Sequence, residues 1–140
     1  MYFEWKDKYS IDVKEIDDQH KKMFELGGKI SCLVFDNGAE NYLNEILSII
    51  EKLREYTKYH FKYEEEHMEL NGYVHQHTHR IQNSYLLERI DKIEDKMISN
   101  RQQETLIEMI NFILDWISKH ILKEDMKYKE FLGNMHRLCK

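Results

Sequence analysis

The chain has no proline, only five glycines and only two cysteines in 140 residues. Without proline nothing forces a helix to kink, and so few glycines poorly supply the sharp turns of an all-β fold. No apolar run approaches the roughly 20 residues needed to cross a bilayer, so no membrane partner is expected. No basic block interrupts the mixed charges, whose sum is -5, which argues against a nucleic-acid partner. Cys32 and Cys139 form neither a CxxC pair nor a zinc spacing. One core cysteine and one tail thiol are expected, with no structural disulfide. The start, Met1 to Lys6, lacks the basic-then-apolar layout of a signal peptide, and a cytoplasmic location is expected.

Apolar residues make up 41% of the chain, enough for one packed domain over residues 1–140. Four long stretches carry apolar residues at helical spacing. The first covers about 17–35, with Ile16, Met23, Phe24, Leu26, Ile30, Leu33 and Val34, and stops at Asn37-Gly38. The second covers about 41–70, with Leu43, Ile46, Leu47, Ile50, Leu53, Tyr56 and Tyr59, and stops at Asn71-Gly72. The third covers about 74–98, with Ile81, Leu86, Ile90, Ile93 and Met97, before Ser99-Asn100. The fourth covers about 103–122, with Leu106, Ile110, Ile113, Leu114, Ile117 and Ile121. A short helix over about 124–132 ends at Gly133-Asn134. Short breaks between long helices predict an all-α, antiparallel up-down-up-down four-helix bundle. Residues 1–15, with Phe3, Trp5, Tyr9, Ile11 and Val13, read as an arm packed on the bundle.

Each helix carries a candidate ligand. His20 lies near the start of the first. His60 and Glu64 share a face of the second, and His79 and Asn83 a face of the third. His120 and Asp125 lie on or just after the fourth. A single helical histidine is ordinarily a surface or hydrogen-bonded residue. This set is different, because His20 and His120 sit among core-facing neighbours. Buried, unpaired imidazoles and carboxylates would cost several kcal/mol, and metal coordination is the ordinary way to offset that.

Heights along the second hairpin sharpen the set. With Gly72 as the turn and about 1.5 Å per residue, Glu64 stands about 12 Å from the turn and His79 about 10 Å. His60 stands at about 18 Å and Asn83 at about 16 Å, while His75 at about 4 Å is too low to join either level. His120 and Asp125, five residues apart, are about 140° apart on an α-helix. A π-type bulge or a helix end is therefore expected between them. Glu64-Glu65-Glu66-His67 has the Glu-x-x-His spacing of ferritin-like sites, but no second such pair exists, and His67 is expected to face solvent. His75, His77 and His79 diverge around a helix.

Three segments together resemble the hemerythrin family. His60-Phe61-Lys62-Tyr63-Glu64-Glu65, with Met68, Gly72-Tyr73 and His79, is similar to its central motif. Ile16-Asp17-Asp18-Gln19-His20-Lys21 resembles its first-helix motif. Trp116-Ile117-Ser118-Lys119-His120-Ile121, with Asp125 and Tyr128, resembles its last, and Trp5 and Tyr9 its N-terminal arm. The resemblance implies two non-haem irons that bind dioxygen reversibly. It implies that Glu64 and Asp125 bridge them, with His20 and His60 on one iron and His79 and His120 on the other. The family's fifth histidine falls at Asn83, where an amide oxygen or a water is expected instead. Using His75 there would need a slip of about 11 Å that also misplaces His79. The family's proline after Gly-Tyr is Val74. Manganese and zinc stay possible on ligand type. The alternative function is a di-iron enzyme acting on oxygen, peroxide or nitric oxide.

Overall fold

A computed structural model describes residues 3–36, 42–99 and 103–138. After a 3-10 turn at Asp7–Tyr9 come α1 (Lys14–Ser31), α2 (Leu43–Leu70), α3 (Gln76–Ser99), α4 (Gln103–His120) and α5 (Met126–Leu138). Consecutive helices α1 to α4 pack on one another as a bundle, and no strand occurs among the described residues. The all-α four-helix architecture is thus the observed one. Two π turns, Cys32–Asp36 and Ile121–Asp125, extend α1 and join α4 to α5.

The arm docks as its apolar residues require. Phe3 stacks on Phe24 at 4.3 Å and Tyr9 lies 4.8 Å from the same ring. A Cβ at Gly27 would come within 2.3 Å of the Phe3 ring and 2.8 Å of Leu114, so only glycine leaves room there. The Asp17 carboxylate accepts hydrogen bonds from Ser10 Oγ at 2.6 Å and Ile11 N at 2.9 Å, tying the arm to the first turns of α1.

The α2–α3 turn fixes the register of the functional hairpin. Tyr73 N donates to Met68 O and Gly72 N to Glu69 O, at 3.0 and 3.1 Å. Gly72 takes φ +66. This pairing and the left-handed glycine form a Schellman motif, completed by the packing of Tyr73 on Met68.

Buried apolar residues form two clusters. The larger contains Met23, Phe24, Ile50, Leu53, Leu86, Ile90, Ile113 and Ile117. The smaller contains Ile11, Ile16, Met68, Tyr73 and Tyr128. Along each helix the candidate ligands fall between these clusters, so a polar layer lies inside an otherwise apolar bundle.

Several expectations need correction. α1 begins at Lys14 and α3 at Gln76. Tyr59 and Ile81 are exposed, at 56% and 59%. The buried face of α2 runs through Thr57, His60, Phe61 and Glu64, and that of α3 through His79, Asn83 and Leu86. Ile81, two residues past His79, is about 200° round the helix from it. Cys32 is exposed rather than in the core, because Val34 takes the buried place in the first π turn. Helix α5 runs through Gly133-Asn134 to Leu138. Gly133 has no left-handed φ to stop it. Asn37-Gly38, Asn41, Asn100 and Cys139 lie outside the described residues, as do the side chains of Met97 and Leu106.

Candidate metal centre

The structure brings all six expected residues together. His20, His60, Glu64, His79, His120 and Asp125 are at most 7% exposed. They come from α1, α2, α3, α4 and the second π turn. That turn answers the five-residue spacing of His120 and Asp125. Met126 N bonds to Ile121 O, five residues back, and the wider turn carries Asp125 onto the face of His120.

All four imidazoles meet the carboxylates through Nε2. His60 Nε2 is 3.3 Å from Glu64 Oε2, and His20 Nε2 is 3.3 Å from Asp125 Oδ2 and 3.7 Å from Glu64 Oε2. On the other side, His79 Nε2 is 2.6 Å from Glu64 Oε1 and 3.1 Å from Asp125 Oδ1. His120 Nε2 is 3.4 Å from Asp125 Oδ1. Each carboxylate therefore turns one oxygen to the His20/His60 pair and the other toward His79/His120. Within each pair the Nε2 atoms are 3.1 Å apart. Two ring lone pairs at that distance repel unless a proton or cation lies between them. Glu64 Oε2 and Asp125 Oδ1 have no hydrogen-bond partner, which buried carboxylates do not tolerate without a cation. The donor set fits a metal pair.

Residues 12–132 match the profile of the family described as Hemerythrin HHE cation binding domain. The chain belongs to the hemerythrin family. It is 31% identical over 126 residues to a bacteriohemerythrin of Clostridium acetobutylicum, covering 90% of this chain and 98% of that one. It is 28% identical over 121 residues to a bacteriohemerythrin of Methylococcus capsulatus, covering 86% and 88% of the two chains. A hemerythrin-like protein of Naegleria gruberi is 26% identical over 130 residues, 93% of each chain. The family function is oxygen binding at a metal centre, and the His/Glu/Asp cluster of this chain fits a di-iron site.

Charge in the metal-free hemerythrin fold is shared between ligands. Burial opposes protonation of His20, yet the neighbouring carboxylates of Asp125 and Glu64 prevail and raise it to about 9. His79 is likewise disfavoured by burial but raised to about 10 by Asp125 and Glu64. Burial pushes His120 down. Burial would raise Glu64, but His60, His20 and His79 hold it well below the usual range. Asp125 is lowered to about 2, against burial and Glu64, by His120, His20 and His79.

Sequence reasoning missed the partners behind these groups. Gln19, buried beside His20, accepts a hydrogen bond at 2.8 Å from His60 Nδ1–H. That leaves the His60 Nε2 lone pair facing inward. His67 is partly buried rather than fully solvent-facing. Its Nδ1 is hydrogen-bonded to the buried Tyr128 hydroxyl. The hydroxyl lies 3.1 Å from His67 O, to which it can donate, and accepts from Asn71 Nδ2 at 3.3 Å. His67 follows Glu64 by three residues and Tyr128 follows Asp125 by three, so this bond ties the two carboxylate-bearing segments one turn below the centre. That shared offset was the available signal. Asn83 is 1% exposed and neither of its amide atoms has a partner. His75 and His77 are exposed.

Proposed function

We propose that this chain holds two irons in the six-residue cluster and binds dioxygen reversibly there, for transport, storage or sensing. The division of the Glu64 and Asp125 oxygens between the two imidazole pairs carries the reading. In this assignment His20 and His60 would hold one ion, His79 and His120 the other, and Glu64 and Asp125 would be shared between the two. Imidazole and carboxylate donors without thiolate favour iron, with manganese and zinc as competitors. Two ferrous ions, when bound, supply the electrons that dioxygen takes up and returns.

The chain's own residues shape the rest. A cavity of about 10 Å³, walled by Met23, Phe61, Ile117 and Ile121, adjoins His20, His60 and His120. It has room for about one small molecule and keeps bulk water out. Asp125 also lines it. Met23, Phe61, Ile117 and Ile121 carry no proton to hand on, which favours release of the gas unchanged. A cytoplasmic setting belongs to the same proposal.

A second reading, an enzyme consuming oxygen, peroxide or nitric oxide, is favoured by Asn83, since an amide or water exchanges more readily than imidazole. Cycling the ferrous protein between air and argon separates the two. A visible absorption band that forms in air and disappears under argon supports the carrier. Irreversible conversion to a ferric form, or steady turnover of peroxide or nitric oxide, assigns the enzyme. One metal per chain, or none, after growth with iron would sink both.

A further inference from the structure

Two cavities meet at one thin wall. The inner one is the small space beside His20, His60 and His120. The outer one is an open cleft of about 350 Å³ on the α3–α4 side, reaching Gln82 and Phe112. Trp116 and His120 line both. Their rings stack at 4.4 Å between centroids and 11° between planes. A single pair of flat rings thus separates solvent from the inner space. His120 is 7% exposed, against 1–2% for His20, His60 and His79, so the cover over the cluster is thinnest here.

The two rings are not equally free. His120 is bound to the polar cluster through Nε2, 3.1 Å from His79 and 3.4 Å from Asp125. Trp116 is half-buried, with the open cleft on its outer side. A rotamer change of the indole would thin this wall from the cleft side and leave the Nε2 contacts of His120 in place. The four charged residues lining the cleft, Asp115, Lys119, Lys123 and Glu124, balance in sign. The cleft therefore does not concentrate ions of either charge, and the small inner space selects by size.

We infer that Trp116 is the door by which a gas ligand reaches the centre, and that its indole sets the size of what enters. The inference rests on the dioxygen-binding reading above. Removing the indole widens the aperture, and filling the cleft narrows it. Trp116→Ala should raise the association rate constant of dioxygen with the ferrous protein by about fivefold or more, as expected when gating limits entry. In the ferric protein the same change should speed thiocyanate more than the smaller azide. Gln82→Trp, which fills the cleft from α3, should slow all three. Metal content, measured alongside, should match the unaltered protein.

Association rates equal in both variants, with normal binding amplitude, would overturn the door and leave the dioxygen reading intact. Failure of the unaltered, iron-loaded protein to take up dioxygen would overturn that reading, and the door with it. A readout free of metal chemistry comes from Trp5→Phe, which leaves Trp116 as the only one of the two tryptophans. Its fluorescence in the metal-free protein should be quenched by acrylamide from the cleft. Emission untouched by the quencher would also overturn the proposal.

Discussion

Glu64 Oε1 meets His79 Nε2 at 2.6 Å across the α2–α3 hairpin, although the residues are 15 apart in the chain. They stand at matching distances from Gly72, whose left-handed φ closes the Schellman turn. The register of that one turn therefore decides which carboxylate faces which imidazole. Glu64 also lies 3.3 Å from His60 through its other oxygen, so one side chain joins both halves of the cluster.

The consequence is strong dependence of metal content on Glu64. Glu64→Ala should lower bound iron well below the two ions per chain expected of the unaltered protein. His77→Ala and His136→Ala change exposed imidazoles and should leave the content as it was. Elemental analysis after gel filtration measures all three. Unchanged iron in Glu64→Ala would remove the bridging assignment.

Most of the centre was legible because helical period and turn position are simple arithmetic. Glu64 level with His79, and the need for a π turn before Asp125, both followed from residue spacing. What the spacing did not reveal lay across helices. Gln19 acts on His60 of α2, and His67 of α2 meets Tyr128 of α5. A period along one helix carries no information about which side chain of the next helix will reach it. Ile81 and Tyr59 failed for a related reason. Apolar residues at roughly helical spacing are expected in the core, while the polar ligands themselves define the inward face. Cys32 failed because a π turn changes the angular step locally.

Metal loading should release protons. In the metal-free protein His20 is raised to about 9 and His79 to about 10, so both are protonated at pH 7. Each must lose its proton to offer Nε2 to a cation. Anaerobic addition of ferrous ion at pH 7 should therefore release about two protons per chain from these groups. Affinity should climb as pH rises toward 9 and fall as it drops. The metal-free fold follows the opposite trend. Histidines with raised pKa stabilise it fully below their unfolded value near 6.5, and that contribution disappears as pH rises through about 9 to 10. Proton release followed with an indicator dye, and melting temperature against pH, test the two signs separately. Loading without proton release would mean that the imidazoles are already neutral.

Tyr128 anchors the segment after the second π turn. Its ring is fully buried, and its hydroxyl bonds to His67 and Asn71. Tyr128→Phe keeps the ring and removes the oxygen. Losing the hydroxyl's part-buried bonds to His67 and Asn71 should cost about 1 kcal/mol. Because Asp125 lies one turn before the anchor, the same change should speed iron loss to a chelator. A lower melting temperature with unaltered iron loss would confine the role of Tyr128 to the fold.

Asn83 places an unsatisfied amide near the proposed centre. It follows His79 by one turn on the buried face of α3 and is 1% exposed, with Oδ1 and Nδ2 both unpartnered. A buried amide with no partner costs on the order of 1–3 kcal/mol. In the proposed reading the amide or a water it holds completes the surroundings of the ion held by His79 and His120. Either donates less electron density than imidazole and exchanges faster, so that ion is held more loosely. Asn83→His supplies a nitrogen at the same level. The larger ring should cost some packing, because Leu86 and Ile90 are fully buried above it. Iron retention against a chelator should nevertheless lengthen, and the oxygenated protein should autoxidise more slowly. Both half-lives are measured in identical buffer and oxygen, with melting temperature as the control for packing. Equal half-lives in the two proteins would mean that Asn83 does not limit the centre. Faster iron loss in Asn83→His, with an unchanged melting temperature, would mean that the native amide is already the better donor at this position.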